Sequence, residues 1–226
     1  MPAEKAIVEN NIFVKDSNGR VLVNFSKLPE AERESKMRTA IHVLMSIGYE
    51  IEYRRDNDKF ELKTAYFIGD AIVKKLAPFC EQVAIAGSVR RRAPLVKDIE
   101  IVCQPKEAFQ DFDLKSAFEY RTAIKDGKRY KQLVLPEGIK LDLFIVRPPA
   151  QWGMILAIRT GDAEFSKRLV TNKPWGFLPI GYKVKDGAIW KGDELIETPD
   201  EQDVFRICGM NFIYPEDRSN YGHFVG

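Results

Sequence analysis

Asp98 and Glu100 stand two residues apart in Lys97-Asp98-Ile99-Glu100-Ile101-Val102, with isoleucines at the alternate positions. That alternation is the pattern of a half-buried strand, whose successive side chains point to opposite faces. The two carboxylates then share one face, roughly 7 Å apart, while Ile99 and Ile101 enter the core. Two acids on one face repel, and a divalent cation between them removes the conflict. Their hard oxygens suit magnesium or manganese rather than zinc. A third acid, Asp142, is the only carboxylate in the apolar run from Leu141 to Val146. If its strand lies beside the first, the three acids converge on a site for two metal ions.

The phosphate side of this chemistry rests on Gly87-Ser88, which follows the short apolar run Val83 to Ala86. A Gly-Ser turn entering a helical start presents backbone N–H groups and a hydroxyl to an anion, and Arg90 or Arg91 adds charge-assisted donors. A Gly-Ser pair alone carries almost no information. Its weight comes from lying ten residues before Asp98 with arginines between. The plainer alternatives are an exposed strand edge for Asp98 and Glu100, a solvated charge run for Arg90 to Arg92, and a local pairing with Lys140 for Asp142. His42 reads as a core or boundary residue of a helix, and His223 lies in a Gly-rich tail without a motif.

The elements that must position these residues follow from periodicity. Ala65, Ile68, Ile72 and Leu76 recur at helical spacing and predict a helix ended by Pro78. Val83 to Ala86 and Ile99 to Cys103 read as strands, and Phe109 to Ile124 as a helix. Tyr130 to Leu135 and Ile139 to Val146 form a hairpin turned at Pro136-Glu137-Gly138. Strand, helix and strand in this order predict a mixed α/β sheet. After Pro148-Pro149, helices are expected at Trp152 to Ile158 and Ala163 to Thr171, and strands at Tyr182 to Val184 and Ala188 to Trp190.

Ahead of this, Ile12 to Val14 and Val21 to Phe25 flank the turn Asp16-Ser17-Asn18-Gly19. A helix is expected from Pro29 to Ile47, with Ser26 as a cap, Met37, Ile41, Leu44 and Met45 as its apolar stripe, and Gly48 as its stop. A second hairpin is expected from Tyr49 to Tyr53 and Phe60 to Leu62 around Asp56-Asn57-Asp58, completing a small ββαββ module. The expected organisation is residues 1–63, 64–149 and 150–226.

The 226 residues carry 35 Lys and Arg against 33 Asp and Glu, so net charge alone demands no anionic partner. No apolar run reaches the ~18 residues of a bilayer span, which excludes an integral membrane helix. The opening residues lack the grammar of a secretory signal, and Cys80, Cys103 and Cys208 are too few and too scattered for a disulfide framework. An intracellular, cytoplasmic or nuclear, protein is expected. With His42 and His223 the only histidines, a zinc site is equally poor.

Taken together, Gly87-Ser88-x-Arg90-Arg91, Asp98-x-Glu100, Asp142, Thr160-Gly161 and Tyr214-Pro215-Glu216-Asp217-Arg218 resemble DNA polymerase family X in order and spacing, over about Ala65 to Arg218. Glu201 to Phe205 is similar to the helix that precedes the family's C-terminal signature. The resemblance implies an α+β nucleotidyltransferase palm at 64–149 with a mixed β-sheet, a thumb-like α/β subdomain at 150–226, and an N-terminal module of unassigned role. It implies that Asp98 and Glu100 hold both of two Mg2+ or Mn2+ ions and Asp142 the one beside the primer 3′-hydroxyl. Gly87, Ser88, Arg90, Arg91, Thr160, Gly161 and Asp162 would bind the dNTP triphosphate and sugar. The partners implied are primer-template or gapped DNA, for a monomeric enzyme.

Three features depart from the family pattern. Glu100 stands where Asp is usual. Arg92 and Lys97 replace expected glycines. Ile158 and Arg159 replace an aromatic pair that lines the sugar pocket, which puts discrimination against ribonucleotides in question. Residues 1–63 hold only Gly19 and Gly48 and no recognisable helix-hairpin-helix, so no lyase activity is expected. Alternatives are template-independent nucleotide transfer to RNA, protein or small molecules, and a non-catalytic DNA-binding module.

Overall fold

The structure, a computed structural model, describes residues 5–9, 13–16, 18, 20–25, 27–54, 59–109 and 117–223. It divides into two compact units, Met1–Lys59 and Phe60–Gly226.

In the first unit, β1 (Lys5–Glu9), β2 (Phe13–Asp16), β3 (Val21–Asn24) and β4 (Glu50–Arg54) form a sheet in the order β3-β2-β1-β4. The β2–β3 connection is tightened by Asp16 Oδ1, which accepts from the N–H groups of Asn18 and Arg20, both at 2.9 Å. Ser17 and Gly19 of that turn lie outside the described residues. The helix α1 (Glu30–Ser46) brings Met37 and Leu44 into one core with Ala6, Val8, Val14 and Phe25.

Three expectations are corrected here. Met45 and His42 are exposed rather than at the core. The strand β1 was not foreseen, and it changes the module from ββαββ to βββαβ. Nor does β4 form a hairpin with the segment at Phe60. It pairs in parallel with β1, Ala6 opposite Ile51, because the whole of α1 lies between those strands and supplies the crossover that parallel pairing needs. Ser26 and Asp56-Asn57-Asp58 lie outside the described residues, and the residue capping α1 is Pro29, without a side-chain bond.

The second unit opens with β5 (Phe60–Glu61), which pairs with β7 (Leu95–Val96), and runs directly into α2 (Leu62–Leu76). Around it are β6 (Cys80–Ile85), α3 (Gly87–Arg90), β8 (Asp98–Pro105), β9 (Thr122–Asp126), β10 (Tyr130–Val134) and β11 (Lys140–Ile145). Their five-stranded sheet has the order β6-β8-β11-β10-β9, with β8 and β11 parallel and the remaining pairs antiparallel. One face is covered by α2: Ala65, Ile72 and Leu76 join Ile99, Ile101, Leu141 and Leu143 in the largest core. The alternation along β8 and β11 therefore does what its spacing predicts, sending the branched apolar residues down and leaving the acids above.

The expected helix over Phe109 to Ile124 is corrected where it can be seen. Residues 110–116 lie outside the described set, and Thr122–Asp126 is a strand antiparallel to β10. A tight turn, in which the N–H of Gly127 donates to the Tyr130 carbonyl at 3.0 Å, folds the chain back so that ladder pairing prevails over helical spacing.

Beyond Pro149 come α4 (Trp152–Thr160), α5 (Ala163–Leu169), a three-stranded meander of β12 (Tyr182–Lys185), β13 (Ala188–Lys191) and β14 (Glu194–Ile196), and α6 (Glu201–Cys208). They enclose a second core of Met154, Phe165, Leu169, Phe177, Ile189, Val204 and Phe205. A capping box starts α6: Asp200 accepts from the backbone ahead of it, and Asp203 reaches back to the Asp200 N–H at 2.9 Å. The three cysteines are buried free thiols, and no helix among the described residues is long and apolar enough to cross a membrane.

Candidate active site

Strand register brings the three acids together. Across β8 and β11, Lys140 lies opposite Asp98, and Asp142 opposite Glu100. On the other side of β11, Gln132 lies opposite Asp142 and Tyr130 opposite Phe144. Same-face residues thus form a grid of three rows: Val134, Lys140 and Asp98; Gln132, Asp142 and Glu100; Tyr130, Phe144 and Val102. The carboxylates occupy adjoining grid points on the face away from α2.

Proximity shows in the protonation of Asp98 and Glu100. Burial, and then the Asp142 charge, raise Asp98 above the ordinary carboxyl range against the opposing pull of Lys140, Lys97 and Arg91. Burial, then Asp98 and Asp142, push Glu100 up to about 7, with Arg159 and Arg91 pulling the other way. The nearby Lys140, Lys97, Arg91 and Arg159 do not offset burial and mutual repulsion. The carboxylate donors are of the type that hard divalent cations prefer. Even so, among the described residues no three His, Cys, Asp or Glu groups are drawn together as a ready ligand set. Asp142 Oδ1 is instead turned to β10, where it accepts from Tyr130 Oη at 2.8 Å and Gln132 Nε2 at 2.9 Å.

Gly87 is tied to Glu100 by space. Its φ is +60°, and a Cβ at that position would overlap Glu100 Oε2 and lie 2.6 Å from Cδ. Only glycine admits both the left-handed backbone and the carboxylate lying against it. The longer arm of Glu100 therefore reaches back from the strand to the turn that carries Ser88.

The arginines after the turn are engaged within the protein. Arg90 makes a bidentate pair with Glu201, Nη1 to Oε1 at 2.9 Å and Nη2 to Oε2 at 2.8 Å, and Nη1 also donates to Thr160 Oγ1 at 2.6 Å. Glu201 accepts in addition from Arg218 Nη1 at 2.6 Å, and Arg218 is wholly buried. Burial acts to raise the Glu201 carboxyl, but the hydrogen bonds from Arg218 and Arg90 prevail and hold it below its ordinary value. Arg91 Nη1 donates to the carbonyls of Thr160 and Gly161, at 2.8 and 2.9 Å. Asp162 caps α5, its Oδ1 accepting from the Phe165 N–H at 2.8 Å. The structure thus gathers Gly87, Ser88, Arg90, Arg91, Thr160 and Gly161 at one junction between α3 and the end of α4, while Asp162 serves the next helix.

A cavity of about 500 Å3 adjoins the acids, with Glu100, Asp142, Tyr130, Phe144 and Arg159 among its walls. The rings of Tyr130 and Phe144 stack at 5.1 Å, and the Arg159 guanidinium lies 4.0 Å from the Phe144 ring centre. Tyr130, Gln132, Phe144 and the Glu201–Arg218 pair belong to this site without being singled out by the sequence as contacts of it. The first three were accessible by counting back across the hairpin from Gly138, since each residue of β10 fixes its partner on β11.

No protein-family profile matches this sequence, and no curated protein matches it. In structure the chain is similar to Leishmania infantum polymerase beta, solved as a ternary P/T complex. The TM-score is 0.54 at 16% identity, covering 83% of this chain and 86% of that one. The fold is polymerase beta-like.

Proposed function

We propose that this chain is a metal-dependent nucleotidyltransferase of the DNA polymerase family X type. It would add a dNMP from a dNTP to a DNA primer 3′-hydroxyl, with pyrophosphate leaving, in repair or gap filling. The observation that carries the reading is the row of acids: Asp142 opposite Glu100, with Asp98 on the same face, beside the Gly87-Ser88 turn. Asp98 and Glu100 would hold two Mg2+ or Mn2+ ions and Asp142 the one beside the attacking hydroxyl. When bound, such ions lower the pKa of that hydroxyl and offset the charge gathering on the phosphates.

The protein's own share is positioning, which accounts for much of the barrier lowering in such transfers. Ser88 and the backbone of its turn would receive the triphosphate, with Arg91 alongside. Arg91 also fixes Thr160 and Gly161 next to the turn, and Arg90 would act by anchoring α3 to α6 through Glu201. In this reading residues 64–149 act as a palm and 150–226 as a thumb-like subdomain, and Arg159 forms a polar wall where an aromatic pair is usual. Affinity for DNA would fall with salt as phosphate contacts are lost.

The test is nucleotide incorporation on matched single-stranded, primed and one-nucleotide-gapped DNA with Mg2+ or Mn2+. Extension of the primed and gapped substrates supports a polymerase. Extension of the single strand alone reassigns the chain as a terminal transferase. Nucleotide transfer to RNA or protein with no DNA extension reassigns the acceptor.

A further inference from the structure

Asp142 is held unevenly. Two donors from β10, the Tyr130 hydroxyl at 2.8 Å and the Gln132 amide at 2.9 Å, both bind its Oδ1. Among the described residues no hydrogen bond is made to Oδ2. Register explains the convergence. Gln132 is the direct cross-strand neighbour of Asp142, and Tyr130 sits one same-face position along, where a long side chain reaches diagonally. Tyr130 is itself fixed by stacking on Phe144, its own cross-strand partner, at 5.1 Å and 21° between planes. Because β10 and β8 flank β11 on opposite sides, both bonds to Oδ1 come from the side of β11 away from Glu100.

We propose that Tyr130 and Gln132 are positioning residues for Asp142, holding Oδ1 so that Oδ2 alone serves the reaction. The inference rests on the reading of Asp142 as a reacting-site acid, and it adds that this acid works through a single, pre-aimed oxygen. A carboxylate with both oxygens loose rotates about its last bond and must be ordered when cation and substrate arrive. Two charge-assisted bonds to one oxygen fix that rotation in advance. Among the described residues no backbone group shares this task, so loss of both donors frees the carboxylate without removing it.

The experiment compares the full chain with Tyr130→Phe, Gln132→Leu, the double variant and Asp142→Ala. Mn2+ affinity is read by electron paramagnetic resonance without nucleotide, and steady-state incorporation is read alongside. Tyr130→Phe keeps the ring on Phe144 and removes only the hydroxyl, so a purely packing role predicts no change in that variant. The expected result is a modest weakening in each single variant and about 10- to 100-fold weaker Mn2+ binding in the double variant. kcat should fall in step while KM for the nucleotide holds, and thermal melting should show every variant folded. If Asp142→Ala weakens Mn2+ binding but the double variant matches the wild type, the positioning role is wrong and the reading of Asp142 stands. If Asp142→Ala leaves Mn2+ binding and turnover unchanged, both are overturned.

Discussion

Removing the Glu201 carboxylate should destabilise the second unit far more than a surface change would. Glu201 is 3% exposed and Arg218 is 0% exposed, and the carboxylate is shared by Arg218 at 2.6 Å and by both terminal nitrogens of Arg90. In Glu201→Ala, Arg90 can turn towards water, since its side chain is 25% exposed. Arg218 cannot. It keeps one bond to the Ile213 carbonyl at 2.9 Å, and its Nη2 already lacks a partner, so the variant leaves a guanidinium buried among Phe165, Phe205 and Phe212 without a counter-charge. Breaking one side of a buried pair costs about 3–5 kcal/mol. For a unit of this size that is a fall in melting temperature of about 10 °C. Glu201→Leu/Arg218→Met removes both charges and should recover most of the loss, because an apolar pair of similar volume is close to neutral. The Glu201 carboxyl lies below its ordinary value when folded, so its contribution is present above the ordinary carboxyl range and is lost as pH falls through the folded value. Urea denaturation of the two variants is the assay. A single variant within about 1 kcal/mol of wild type, or a double variant as unstable as the single, would show that buried Arg218 does not depend on the Glu201 charge.

Other outcomes follow from the same geometry. Asp98 and Glu100 bind protons more tightly folded than unfolded, so without cations stability should decline as pH rises from the ordinary carboxyl range through about 7. Melting curves across that range should show the decline, Mg2+ should oppose it most at the alkaline end, and Glu100→Gln should flatten it. Gly87→Ala must displace the Glu100 carboxylate and strain a left-handed residue, lowering stability by about 1 kcal/mol or more and cutting incorporation. Adding Glu100→Asp to Gly87→Ala shortens the clashing arm, and activity above that of the single variant confirms the steric cause. Arg159→Phe places an aromatic wall on Phe144. The ratio of deoxyribonucleotide to ribonucleotide incorporation should rise in that variant, and an unchanged ratio removes Arg159 from sugar selection.

The acids were legible in the sequence because the period of a strand is two: Asp98, Glu100 and Asp142 had to face opposite to Ile99, Ile101, Leu141 and Leu143. The elements themselves were mostly legible: α2 carries clear apolar spacing, and α4 is an apolar run following Pro148-Pro149. Pairing was less so. The parallel partnership of β1 with β4 spans the whole of α1, and β1 is a short run with charged ends that a local window does not single out. The strand at Thr122 is exposed along its length and has no apolar face to declare it. The fate of Arg90 was equally hidden. Its partners Thr160 and Glu201 lie 70 and 111 residues away, and only the packed fold reveals that a basic run beside a Gly-Ser turn is anchored within the protein.

The proposed nucleotide transfer rests on Asp98, Glu100 and Asp142 acting together on one face of the sheet. Its most direct measurement is incorporation of a labelled dNMP onto a primed DNA template with Mg2+, comparing wild type with an equally folded Asp142→Ala. The wild type should extend the primer with stoichiometric pyrophosphate release, and the variant should lose several orders of magnitude of activity. Equal extension by the two proteins contradicts the proposed transfer.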